Sequence, residues 1–278
     1  MRVGVSSYSF WHFRGAPYPL ERVLEDAARM GAAGCEVLEV QLGEDTSLRR
    51  LHGLRRRALT LGLDLYALST HQDFVSPDPE VRAAQVARTS RSLDVASALG
   101  APCIRVNSGR WKTIPSFDDF MANGGTEPSL PGHTEEEAYG WVVAALAELL
   151  PQAERLGVIL ALENHWGLTA RPEGVARILG ALPSPYVGGV LDTGNHLRAA
   201  QDPYAHMEQL APSAVLVHAK SYLGGGEWYD LDIDYRRVGQ ILRAANFSGY
   251  VSLEFEGRAP AAQAVPQALA EVRAGLGI

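Results

Sequence analysis

A chain of 278 residues with 46% hydrophobic and 21% charged side chains is too apolar for a disordered or fibrous protein and long enough to enclose one large core. Its formal charge of −7 supplies no overall basic field for a phosphate backbone, so nucleic acid is not expected as a partner. The opening stretch MRVGVSSYSF carries one charge and no long apolar run. No segment reaches the roughly 20 apolar residues that span a bilayer, so no membrane association and a cytoplasmic address are expected. The two cysteines, Cys35 and Cys103, fall in strand segments and read as buried thiols, with no disulfide framework or zinc knuckle.

Short apolar runs alternate with longer amphipathic stretches along the whole chain. Val3–Ser7 opens as a strand, and Leu20, Val23, Leu24 and Ala27 follow at helical spacing. Cys35–Val40 is a second strand. The helix after it offers Leu48, Leu51, Leu54 and Ala58 as one apolar face, with Arg49, Arg50 and Arg55–Arg57 on the wet side. Leu63–Ser69 is a third strand, followed by a helix over Pro79–Gly100 with proline in its first turn. Ala101–Asn107 is the fourth strand. A long Gly- and Pro-rich connection, Ser108 to Gly132, comes next; its length marks it as a lid or binding loop, and Trp111, Phe117 and Phe120 argue that it packs. Thr134 and Glu137 form a capping-box pattern before WVVAALAELL, and Pro172 and the DYRRVGQILRAA segment (Asp234–Ala245) start two further helices. Val158–Glu163, Val187–Asp192, Ala214–Lys220 and Tyr250–Glu254 complete eight strands. Eight strand–helix alternations predict one α/β domain over residues 1–278, a closed (β/α)8 barrel with a long loop after strand 4. A doubly wound sheet would show a Gly-rich phosphate turn after its first strand, and YSFWHFRG stands there instead.

Four residues with metal-ligating side chains, Glu163, Asp192, His218 and Glu254, lie at or near the C-terminal ends of the last four predicted strands. In a barrel those ends converge on one mouth, where active sites of this fold are built. Each residue also has the strand parity that points into the lumen. Three carboxylates beside an imidazole repel one another and lose hydration unless a cation lies among them. The O,O,O,N donor set suits Mn²⁺, Mg²⁺ or Co²⁺, and accommodates Zn²⁺, because no thiolate selects a soft ion.

At these residues the chain resembles the sugar phosphate isomerase/epimerase superfamily, the xylose-isomerase-like TIM barrels that include ketose 3-epimerases and inosose dehydratases. The matching segments are LALENH (Leu160–His165), VLDTGN (Val190–Asn195), VHAK (Val217–Lys220), LDIDY (Leu231–Tyr235), GYVSLEFEG (Gly249–Gly257) and the earlier GAAGCEV (Gly31–Val37). The resemblance implies that Glu163, Asp192, His218 and Glu254 hold one divalent metal ion. It further implies that Glu163 and Glu254 shuttle the substrate proton. The expected activity is isomerisation or epimerisation of a small polyhydroxylated carbonyl compound through an enediolate, as part of carbohydrate metabolism. The same intermediate expelling a β-hydroxyl would make a dehydratase.

Around that centre, His71, Arg105, His165, Trp166, His196 and Lys220 are candidate substrate-binding residues. For His71 the bland alternative is a structural loop histidine; for His165 and His196, support of the ligands from behind; for Arg105, neutralisation of Glu36; for Lys220, a salt bridge to Glu256. Trp166 and Trp111 are candidates for an apolar wall or for plain packing. A nuclease like endonuclease IV is disfavoured, because Asn107 stands where that branch has histidine and LDIDY lacks its Asp-x-His pair. A sugar-binding protein without turnover would have no need of two carboxylates flanking a carbonyl. Barrels of this kind commonly form homo-oligomers, but no apolar stripe identifies an interface.

Overall fold

The computed structural model describes residues 1–195 and 202–278. Eight parallel strands close into a barrel in chain order: β1 (Arg2–Ser6), β2 (Gly34–Leu38), β3 (Asp64–Ser69), β4 (Cys103–Val106), β5 (Ile159–Glu163), β6 (Val187–Asp192), β7 (Ala214–Ser221) and β8 (Tyr250–Phe255). The helices between them are α1 (Leu20–Arg29), α2 (Leu48–Thr60), α3 (Pro79–Leu99), α5 (Glu135–Leu156), α6 (Pro172–Gly180), α7 (Pro203–Leu210), α8 (Tyr235–Ala244) and α9 (Ala261–Leu276). A short helix, α4 (Phe117–Ala122), lies within the long β4 connection. The expected strands are present, with ends displaced by no more than two residues; α7 and α9 were not read individually from the sequence.

Local chemistry sets the helix ends. Asp78 accepts from the Glu80 amide at the start of α3, Pro79 occupies the first turn, and Gly100 ends the helix at φ 76°. At α5 the Thr134 hydroxyl accepts from the Glu137 amide while the Glu137 carboxylate accepts from the Thr134 amide. That helix continues through Pro151 to Leu156.

The period-two pleat sorts each strand between two cores. On β5, Leu160 and Leu162 join the layer under the helices, whereas Ala161 faces the lumen beside Tyr66, Cys103, Val190 and Leu216. Following that alternation, Glu163, Asp192, His218 and Glu254 all continue the inward rows of their strands. Cys35 and Cys103 are buried free thiols, and burial pushes both well up. Among the described residues no helix is long and apolar enough to cross a membrane.

The barrel floor is one large side chain. The Tyr66 ring stacks on Tyr250 with centroids 4.0 Å apart. Glycine at position 4 makes room for it, since a Cβ there would lie 2.3 Å from the Tyr66 ring. Gly4→Ala is therefore expected to destabilise the protein by about 1–3 kcal/mol through overpacking, read from the midpoint of chemical denaturation. An unchanged midpoint would show that the ring shifts freely.

Candidate metal centre and active site

At the C-terminal end of the barrel, the register places Asp192 opposite His218 and Lys220 opposite Glu254. Glu163, Asp192, His218 and Glu254 are buried and each offers one ligand atom, all within 4.8 Å of one another. Atoms bound to one divalent ion at about 2.1 Å lie at most roughly 4.2 Å apart, so the group needs only a small contraction to coordinate.

The ends of these side chains are held from outside the cluster. Asp192 Oδ1 accepts from the amides of Gly194 and Asn195, both at 2.8 Å. Its Oδ2 is buried with no hydrogen-bond partner among the described residues, and faces His218 Nδ1 at 3.8 Å and Lys220 Nζ at 3.3 Å. Glu163 Oε1 lies 3.0 Å from His218 Nδ1, while its Oε2 accepts from Asn107 Nδ2 at 2.9 Å and stands 3.4 Å from Arg105. Glu254 Oε2 accepts from Lys220 Nζ at 2.7 Å and lies 3.5 Å from His218 Nδ1. Asp192 Oδ2 thus has only the longer contacts to Lys220 and His218, and a divalent ion among the three carboxylates would satisfy it. The residues present therefore fit a divalent ion.

The electrostatics agree. Burial pushes the Asp192 carboxyl up to about 7, helped by the neighbouring Glu163 and Glu254 and opposed by Lys220 and His218. Burial works to lower the His218 imidazole, but Glu254 and Glu36 outweigh it and hold it well above its ordinary value. Burial would raise Glu163; the Arg105 guanidinium, with His165 and His218, holds it well below the usual carboxylate range instead. Without an ion, protons on His218 and Asp192 thus relieve the repulsion that a metal would otherwise offset.

A cavity of about 160 Å³ opens above the cluster, with Glu163 and Glu254 on its floor and Phe13, Phe117, Trp166 and Trp228 among its walls. His71, Arg105, His165 and Lys220, expected near substrate, also line it. Burial and the Arg105 charge lower the His71 imidazole to about 3, so it faces the cavity as a neutral hydrogen-bonding group. His196 lies outside the described residues.

For two residues one of the open alternatives falls away. Arg105 does not neutralise Glu36: their strands place it beside β5, where it pairs with Glu163 and donates to Asn107 Oδ1 at 2.7 Å. Trp111 is no part of the cavity wall, because its ring packs edge-on against Trp141 of α5, 5.9 Å away. Lys220 does bridge to Glu256, at 2.5 Å, while also reaching Glu254 and Asp192.

Several residues were not read as functional from the sequence. Glu36, fully buried, touches His218. Asn107 steadies Glu163. The rest of the mouth comes from loops. Phe117 meets Trp228 edge-on at 5.2 Å, and Trp228 Nε1 donates to Asp118 at 3.2 Å, so the β4 and β7 loops clasp one another. Arg14 of the β1 loop pairs with Glu227. The long β4 loop is organised on Glu127, which accepts from Arg110 and from the amides of Lys112 and Ile114.

The chain belongs to the xylose isomerase-like TIM barrel family, whose model matches residues 24–274. A curated relative, 3-oxo-isoapionate decarboxylase of Pectobacterium atrosepticum, is 28% identical over 226 residues, covering 80% of this chain and 69% of the relative. Among solved structures, D-psicose 3-epimerase determined in the presence of D-fructose superposes with a TM-score of 0.78 at 20% identity, covering 100% of both chains. The IOLI protein with a bound zinc atom superposes with a TM-score of 0.77 at 19% identity, covering 100% of this chain and 98% of its own. At those identities the two structures establish the shared fold.

Proposed function

We propose that this chain is a divalent-metal-dependent isomerase or epimerase of a sugar or sugar-like keto compound, with Glu163 and Glu254 as its proton-transfer pair. The observation that carries this reading is the pairing of two buried carboxylates with Asp192 and His218 around one point beneath a small aromatic-walled cavity. An ion held there would polarise a substrate carbonyl and its neighbouring hydroxyl as a Lewis acid. One carboxylate removes the proton from the carbon beside the carbonyl, leaving an enediolate, and the other returns a proton to complete the reaction. Lys220 donates a hydrogen bond to Glu254 and orients that carboxylate. Arg105 and Asn107 likewise orient Glu163.

The cavity also bears on the substrate. Its volume of about 160 Å³ falls below the roughly 300–1,000 Å³ of ordinary ligand sites, which favours a single small molecule. Among the described residues lining it, the cations Arg105 and Lys220 are already paired with buried carboxylates. That arrangement favours an uncharged polyol over a phosphorylated one. The aromatic walls suit the apolar face of a sugar.

The relative that is a decarboxylase supports a second reading. Loss of CO₂ from a 3-oxo acid breaks the bond to the carboxylate carbon and leaves its electron pair in an enolate, which a carboxylic acid at Glu163 or Glu254 would protonate. Incubating the Mn²⁺-loaded protein in D₂O with a panel of ketoses and 3-oxo sugar acids separates the two. Epimerisation or isomerisation places deuterium beside the carbonyl without loss of carbon, and decarboxylation releases CO₂. Absence of both deuterium uptake and CO₂ across the panel would overturn the proposed chemistry.

A further inference from the structure

Glu36 has no part in the chemistry described so far, yet it occupies one of the most costly positions in the barrel for a carboxylate. It is fully buried on β2. Three hydrogen bonds compensate it. The Ser69 hydroxyl donates to Oε1, the Ser252 hydroxyl donates to Oε2 at 2.5 Å, and His218 Nε2 lies 3.0 Å from Oε1. Ser252 accepts in turn from the Tyr66 hydroxyl at 2.7 Å. A hydrogen-bonded column therefore rises from the barrel floor through Tyr66, Ser252 and Glu36 to His218.

The imidazole divides its two nitrogens between different tasks. Nδ1 faces Glu163, Glu254 and Asp192 at 3.0, 3.5 and 3.8 Å, whereas Nε2 faces Glu36. Both serine partners of Glu36 present hydroxyl hydrogens to it, so it stands as an acceptor and leaves Nε2 of His218 as the donor. We infer that Glu36 is a positioning residue for the metal centre: it keeps the His218 proton on Nε2, turns the Nδ1 lone pair towards the ion, and strengthens that lone pair with its own negative charge. This rests on His218 being a metal ligand.

The first measurement needs no substitution. In ¹⁵N-histidine-labelled protein loaded with ¹¹³Cd²⁺, the His218 signals are expected to show a proton on Nε2 and coupling to the metal at Nδ1. Metal coupling at Nε2 would overturn the inference. The second compares Mn²⁺ affinity by competition with a fluorescent chelator. Glu36→Gln keeps the size and one acceptor oxygen but removes the charge, and is expected to weaken Mn²⁺ binding about 10–100-fold with an unchanged near-ultraviolet circular dichroism spectrum. Glu36→Asp, which restores the charge, is expected to recover part of the loss. A folded Glu36→Gln protein that binds Mn²⁺ as tightly as the unaltered chain would overturn the inference while leaving the metal centre standing. Failure of the unaltered chain to bind Mn²⁺ at all would remove both. Should Glu36→Gln fail to fold, the position of the cadmium coupling decides the matter.

Discussion

Glu254→Gln is expected to lower kcat by about 10²–10⁴-fold, and Glu163→Gln by a similar factor, because each deletes a group that takes or returns the substrate proton. Glutamine preserves shape and one ligand oxygen at both positions. Metal content measured alongside turnover therefore separates lost proton transfer from a lost ion. The two variants should differ in a second respect. Glu163 is bound to His218, Asn107 and Arg105, so its amide replacement leaves the buried Arg105 facing a neutral group, a situation that costs several kcal/mol. Glu163→Gln is thus expected to lower the denaturation midpoint more than Glu254→Gln, whose partner Lys220 retains Glu256. Near wild-type turnover in both variants would remove these residues from the acid–base role.

Stripping the divalent ion with a chelator is expected to abolish turnover and to lower stability together. An ion present at 1,000 times its Kd stabilises the folded state by about 4 kcal/mol, and its removal should shift the thermal midpoint accordingly. The pH dependence follows from Asp192. In the ion-free protein its carboxyl is raised from an ordinary 3.8 to about 7, so between those values the folded chain binds a proton that the unfolded chain has released. The stability due to that proton is present below pH 3.8 and is lost as the pH rises through about 7. A bound ion replaces the proton, so Mn²⁺ affinity should strengthen as the pH approaches 7 from below and its binding should release protons. Full activity after exhaustive chelation would contradict the metal centre.

The barrel was legible because its eight strands keep near-continuous apolar runs and are separated by helices with recognisable caps such as Asp78 and the Thr134–Glu137 box. The cluster was legible for the same reason, since strand ends and pleat parity convert four distant positions into neighbours. Glu36 had that parity too, but its partner His218 is 182 positions away, and sequence does not say which inward group another will meet. Arg105 shows the same limit: its inward direction was visible, its choice of Glu163 over Glu36 was not. Of the aromatic walls, Trp166 was legible from its place after β5, and the others were hidden for a different reason. Phe13 adopts φ 58° and Phe117 meets Trp228 across two loops, and such conformations are set by tertiary contact rather than by periodicity.

The Glu127 hub gives the β4 loop an unusual independence. Its anchoring bonds to Arg110, Lys112 and Ile114 lie at the base of the loop, whereas Phe117, which meets the cavity, sits further along on α4. Sequence changes between the anchor points would consequently alter which molecules are admitted while sparing the deeper reaction chemistry. Diversification within such a lineage should accumulate there first, as exchangeable doorways fitted to a constant hearth.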